Sequence, residues 1–166
     1  MITVVWAREP LPAGPSVFLA GPSANAGSGV ESWRPAAVNE LRAQSTSPLT
    51  VLTPESRGGV RADRYEDQVD WEHEALESAT VILFWIPRCL KHLPGFTTNI
   101  EWGKYCRSGR VVLGCPPEAP DARRNRYLLH DAGRYGVPVA TTLKATVDAA
   151  LSLLADVVIT PGHARH

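Results

Sequence analysis

The chain has 166 residues, enough for one domain that buries a core without disulfide or metal staples, with 44% hydrophobic and 20% charged residues. Seventeen basic and seventeen acidic side chains cancel. This balance argues against a protein that grips a nucleic-acid polymer or an anionic membrane mainly by charge. The three cysteines, Cys89, Cys106 and Cys115, match no zinc or disulfide spacing and point to a reducing compartment. No apolar run approaches the ~20 residues of a membrane span. Glu9, Pro10 and Pro12 interrupt anything resembling a signal peptide. A cytoplasmic location is expected.

Ile2–Trp6 is a possible strand, closed by Pro10, Pro12, Gly14 and Pro15. Ser16–Ala20 is a buried strand that stops at Gly21-Pro22, and a small-residue loop runs from Ser23 to Gly29. Ser32 caps a helix over Trp33–Gln44, with Pro35 tolerated in its first turn. Leu49–Thr53 is a strand, Glu55–Asp63 a loop and Arg64–Ser78 a helix with Val69, Glu72 or His73, and Leu76 on one stripe. Thr80–Ile86 is the strongest strand, too uniformly apolar to have a wet face. A loop to Phe96 leads to a helix over Thr98–Ser108. The strand Val111–Gly114, the helix Asn125–Tyr135, the strand Val137–Thr141 and the helix Leu143–Val158 follow.

The expected architecture is a three-layer α/β sandwich around a five-stranded, mostly parallel sheet, one domain over residues 1–166. Its core spans about residues 16–158, and the tail from Pro161 is expected to fray. Ligands of such folds sit beyond the carboxyl ends of the strands.

Several chemistries lack their motifs. There is no GxxxxGK[ST], no GxGxxG after a strand and no GxSxG elbow. His73-Glu74-Ala75-Leu76-Glu77 has glutamate where a zinc-binding HExxH needs its second histidine. No metal and no cofactor are expected.

The segment Thr98-Asn99-Ile100-Glu101 admits two readings. As a capping box, Glu101 would reach back to the N–H of Thr98. As a functional group, Glu101 would be an ionised carboxylate in a first helical turn, favoured there by the helix dipole and able to attack an anomeric carbon. Retaining glycosidic chemistry also needs an acid for the leaving group. The acidic helix supplies candidates: Glu66 and Asp70 lie one turn apart, and Glu72 sits on the apolar stripe, where burial would raise its pKa. Asp70 and Glu72 are the preferred acids. Gly21, Pro22 and Ser23 form either a plain turn or a close backbone approach to a ligand, and Ser32 with Arg34 could hold a phosphate. Trp71, Trp85 and Trp102 are core residues, or one of them stacks on a base.

Five segments in order resemble the nucleoside 2-deoxyribosyltransferase-like family. They are Phe18-Leu19-Ala20-Gly21-Pro22-Ser23, Ser32-Trp33-Arg34-Pro35, Gln68-Val69-Asp70-Trp71-Glu72, Leu83-Phe84-Trp85-Ile86-Pro87-Arg88 and Thr97-Thr98-Asn99-Ile100-Glu101-Trp102-Gly103. The resemblance extends from about Val17 to Leu151. It implies a flavodoxin-like sheet, a small-molecule nucleoside or nucleoside 5-monophosphate as substrate, and N-glycosidic cleavage or transfer. It further implies Glu101 as nucleophile in an E-x-G motif with Gly103, substrate contacts from the matching segments (Trp71, Thr98 and Asn99 among them), and a homo-oligomer. The chain departs from the well-studied transferases at two places. Phe18 stands where they carry a tyrosine, and Leu93-Pro94-Gly95 lacks their base-contacting aspartate. A non-catalytic nucleotide-binding module is the alternative.

Overall fold

The computed structural model describes residues 1–24, 27–60 and 62–159. The expected frayed tail from Pro161 lies outside them, as does part of the expected loop between Ser23 and Gly29.

The strands are β1 (Ile2–Trp6), β2 (Ser16–Ala20), β3 (Leu49–Thr53), β4 (Val81–Trp85), β5 (Val111–Gly114) and β6 (Val139–Ala140). They form one sheet in the order β1-β3-β2-β4-β5-β6. Every pairing between these strands is parallel. The helices between them are α1 (Arg34–Gln44), α2 (Tyr65–Ser78), α3 (Phe96–Tyr105), α4 (Arg126–Tyr135) and α5 (Leu143–Ile159). Omitting β1, the order is the flavodoxin-like one, which reverses direction between β2 and β4.

The sheet therefore has six strands rather than the expected five. β1 pairs with β3 over its whole length, from Ile2 opposite Leu49 to Trp6 opposite Thr53. Its partly exposed pattern is that of an edge strand, which is why it lacks the continuous apolar run of its neighbours.

Alternate residues of each central strand serve opposite layers, as the pleat requires. Phe18, Ala20, Ile82, Phe84 and Leu113 face α2, α3 and α4 through Trp71, Leu76, Trp102 and Leu128. Val17, Leu19, Val81, Leu83 and Val112 face α1 and α5 through Val38, Leu41 and Val147. Register at the amino ends of β2 and β4 is fixed by a reciprocal pair. The Ser16 N–H donates to Thr80 Oγ1 at 3.1 Å, and the Thr80 N–H donates to Ser16 Oγ at 3.2 Å. The carboxyl end of α2 is closed by Arg110, which donates to the carbonyls of Leu76 (2.8 Å) and Ala79 (2.6 Å). Among the described residues no helix is long and apolar enough to cross a membrane.

Candidate functional site

The reversal between β2 and β4 opens a crevice at the carboxyl edge of the sheet. Gly21 ends β2 there with φ of +151°. A Cβ on Gly21 would lie 2.2 Å from the Trp85 carbonyl oxygen and 2.8 Å from the Trp33 ring. The turn is thus a close backbone approach, made to the protein's own β4. Gly21→Ala is expected to cost at least about 2 kcal/mol in urea unfolding, because backbone must move to admit a methyl group. Gly103, with nothing within 4 Å of its built Cβ, is the contrasting helical position. Alanine there is expected to be neutral or stabilising by up to about 1 kcal/mol.

Arg34, the first residue of α1, is 2% exposed and closes the base of the crevice. Its Nε donates to the Leu19 carbonyl at 3.2 Å and its Nη2 to the Gly21 carbonyl at 2.8 Å. Its Nη1 donates to Ser23 Oγ at 3.0 Å and to Glu55 Oε1 at 3.2 Å, the second being an ion pair. Four of the five guanidinium N–H donors are thereby committed to holding the end of β2, the turn after it and Glu55. Ser32 Oγ accepts the Arg34 N–H at 3.1 Å.

α3 is positioned by a second buried arginine. Arg88, 2% exposed, donates through Nε to Asn125 Oδ1 (2.8 Å) and through Nη2 to Asn99 Oδ1 (2.7 Å), and its Nη1 reaches the Pro94 and Gly95 carbonyls. Gly95, left-handed at φ 67°, starts the helix at Phe96, two residues before the expected Thr98. The Asn99 N–H closes onto the Gly95 carbonyl at 3.1 Å, and no side chain caps the helix. Thr98 therefore lies inside the helix, the expected capping box does not form, and Glu101 sits in the second turn.

The electrostatics of Glu101 are the reverse of those expected. Burial first, and the negative charge of Glu72 second, push the Glu101 carboxyl up to about 7, against the opposing pull of Arg34 and Lys104. Burial also raises Glu72, opposed by a hydrogen bond from Gln68 and by the charge of Arg34. Gln68 Nε2 donates to Glu72 Oε1 at 2.7 Å and to the Pro54 carbonyl at 2.8 Å, while its Oε1 accepts from Arg8 at 2.6 Å. The glutamine is thereby fixed on three sides.

Both glutamates line one cavity of about 480 Å³, together with Gly21, Pro22, Ser23, Arg34 and Thr98. On α2 the lining positions are Tyr65, Gln68, Val69, Glu72, His73 and Leu76, a helical stripe of spacing three and four. Glu66 and Asp70 fall on the neighbouring face, are exposed, and lie outside the cavity. Of the two preferred acids, only Glu72 is brought to Glu101. Trp71 is buried in the core with its indole N–H on the Glu9 carbonyl at 2.8 Å. Trp85 and Trp102 are buried too, the latter edge-on to Phe84 with ring centroids 5.4 Å apart. None of the three lines the cavity. Asn99 is exposed and occupied by Arg88, and Gly103 lies on the outer side of α3. Gln68, Lys104 and Tyr105 were not singled out from the sequence, although Gln68 stands one turn before Glu72.

The model of the family described as nucleoside 2-deoxyribosyltransferase like matches residues 14–119, which hold β2 to β5 and both cavity glutamates. The chain belongs to this family. No curated protein sequence matches it. For a nucleoside 2-deoxyribosyltransferase-like protein the cavity is of ordinary ligand-binding size. Phe18, fully buried, contributes to its lining where the transferases bear a tyrosine, so no hydroxyl meets Glu101 from β2. Among the described residues no group of three or more His, Cys, Asp or Glu is arranged to hold a metal ion.

Proposed function

We propose that this nucleoside 2-deoxyribosyltransferase-like protein cleaves or transfers the N-glycosidic bond of a nucleoside, 2-deoxynucleoside or 5-monophosphate, with Glu101 as nucleophile and Glu72 as acid. The observation that carries this reading is that two partly buried glutamates from different helices line one cavity, the charge of one raising the pKa of the other. Such a pair takes up protons in two coupled steps and passes through a singly protonated state. In that state Glu101 Oε attacks the anomeric carbon. The C–N bond breaks, its electron pair goes to the base, and the base takes the proton from Glu72. The resulting glycosyl ester of Glu101 is opened by water or by a second base, whose proton returns to Glu72.

Burial raises both carboxyls, and the Gln68 hydrogen bond opposes that rise only at Glu72. Reaction requires the proton on Glu72 and the charge on Glu101. The roles are therefore tested directly: a slow 2-fluorinated nucleoside is expected to leave its sugar on the Glu101 peptide, read by mass spectrometry. A sugar on the Glu72 peptide would exchange the two assignments, and labelling of neither, without turnover of any nucleoside, would end the reading.

The pH dependence follows with its sign. kcat/KM is expected to rise as the pair loses its first proton and to fall as it loses the second, through about 7. In Glu72→Gln the neighbouring charge is gone, so Glu101 ionises below about 7 and the falling limb disappears. Its rate on natural bases is expected to drop about 10²–10⁴-fold, but far less on a nitrophenyl glycoside, whose leaving group needs no proton. A falling limb retained in the variant would separate the two groups.

A second reading, binding without turnover, is favoured by Phe18 in the cavity and by the lack of an acid in Leu93-Pro94-Gly95. Recovery of intact ligand after prolonged incubation, with tight binding by calorimetry, would select it.

A further inference from the structure

A second hollow, of about 380 Å³, is lined by Pro120, Asp121, Arg123, Arg124 and Arg126 and shares no residue with the cavity of the glutamates. It lies at the 3-10 turn Ala122–Asn125 and the first residue of α4, in a chain whose formal charges otherwise sum to zero. Three of its seventeen basic side chains are thus gathered within four positions.

The three arginines are exposed, and none makes a side-chain hydrogen bond or ion pair with another described residue. The one acid in the hollow, Asp121, offsets one of the three charges and leaves two. Asp121 Oδ2 accepts the Leu90 N–H at 2.7 Å, its N–H donates to the Arg88 carbonyl at 2.9 Å, and its carbonyl accepts the Arg124 N–H at 2.9 Å. Asp121 is therefore committed to shaping the loop. The backbone that carries the arginines is held from below by Asn125, which is fully buried. Its Nδ2 donates to the Ile86 carbonyl at 3.0 Å and its Oδ1 accepts from Arg88 at 2.8 Å. The hollow thus combines a fixed frame with three unspent guanidinium forks.

We propose that Arg123, Arg124 and Arg126 form a binding site for a phosphate-type dianion, separate from the cavity of Glu72 and Glu101. Guanidinium forks match the oxygen edges of a tetrahedral phosphate two at a time, and three of them compensate its charge. Inorganic phosphate and the phosphate of a nucleotide offer the same chemistry.

The test is calorimetric titration of the full chain with inorganic phosphate, a 2-deoxynucleoside 5-monophosphate and the corresponding nucleoside. Phosphate is expected to bind, more weakly as ionic strength rises. The triple variant Arg123→Gln, Arg124→Gln, Arg126→Gln is expected to weaken phosphate binding at least tenfold without changing Tm, since these exposed side chains hold no other part of the fold. If the monophosphate weakens in parallel and the nucleoside does not, the ligand is a nucleotide. If only inorganic phosphate responds, the ligand is free phosphate. Absence of phosphate binding, or equal binding by wild type and the triple variant, overturns the site. Because the readout is binding, it stands apart from any failure of Glu101 chemistry.

Discussion

Glu101→Gln is expected to reduce kcat/KM on any nucleoside the protein turns over by at least about 10³-fold, the scale of losing a nucleophile that works together with its partner. The same substitution is expected to stabilise the protein, and the two effects come from one cause. The Glu101 carboxyl moves from an ordinary 4.5 to about 7 on folding, chiefly through burial. Between these values the folded chain holds a proton that the unfolded chain has released. Stability contributed at this position is therefore lost as pH rises from 4.5 through about 7, and the loss is complete above it. Glutamine carries no such penalty. Urea unfolding at pH 8 should favour the variant by roughly 1–3 kcal/mol, and the difference should shrink toward pH 4.5. A difference that does not vary with pH would mean that the side chain is not desolvated in the fold. Full activity in the variant would remove Glu101 from the reaction.

The second large effect concerns Arg34. Arg34→Met is expected to destabilise the protein by about 3–5 kcal/mol, since it leaves the Leu19 and Gly21 carbonyls without a donor and Glu55 without its cation. It also withdraws the positive charge that lowers both Glu72 and Glu101. Both limbs of the kcat/KM profile should then move to higher pH, whereas Glu72→Gln removes the falling one. Arg34→Lys keeps the charge and cannot span the four acceptors. It should recover the pH profile more fully than the Tm. Were both variants to keep the wild-type profile, Arg34 would be a structural residue alone.

Much of this arrangement is legible in the sequence because it rests on local pattern. The uniformly apolar Val81–Trp85 announces a central parallel strand, and Glu72 stands out as a carboxylate on a stripe with Val69 and Leu76, all three of which line the cavity. What stays hidden depends on partners far along the chain. Arg34 looks available for a ligand until the carbonyls 13 and 15 residues before it and Glu55, 21 residues after it, are brought around it. The start of α3 cannot be placed from Thr98 and Glu101, because Gly95 and the guanidinium of Arg88 fix it instead. The error of two residues there matters more than its size. It takes Glu101 out of the first turn, where the helix dipole would favour its charge, and burial then raises its carboxyl to about 7.

The two borders of the sheet differ in how well they are guarded against other chains. β6 is two residues long and follows Pro138, so it presents almost no ladder to an incoming strand. β1 is five residues long, last in the order, and pairs only through its inner side with β3. Glu9 takes the outer N–H and carbonyl of Trp6, so the template for strand addition is the stretch from Ile2 to Val4. Aggregation by sheet extension, when the protein is stressed, should therefore begin at β1, and a lysine at Thr3, whose side chain is exposed, would be the place to block it.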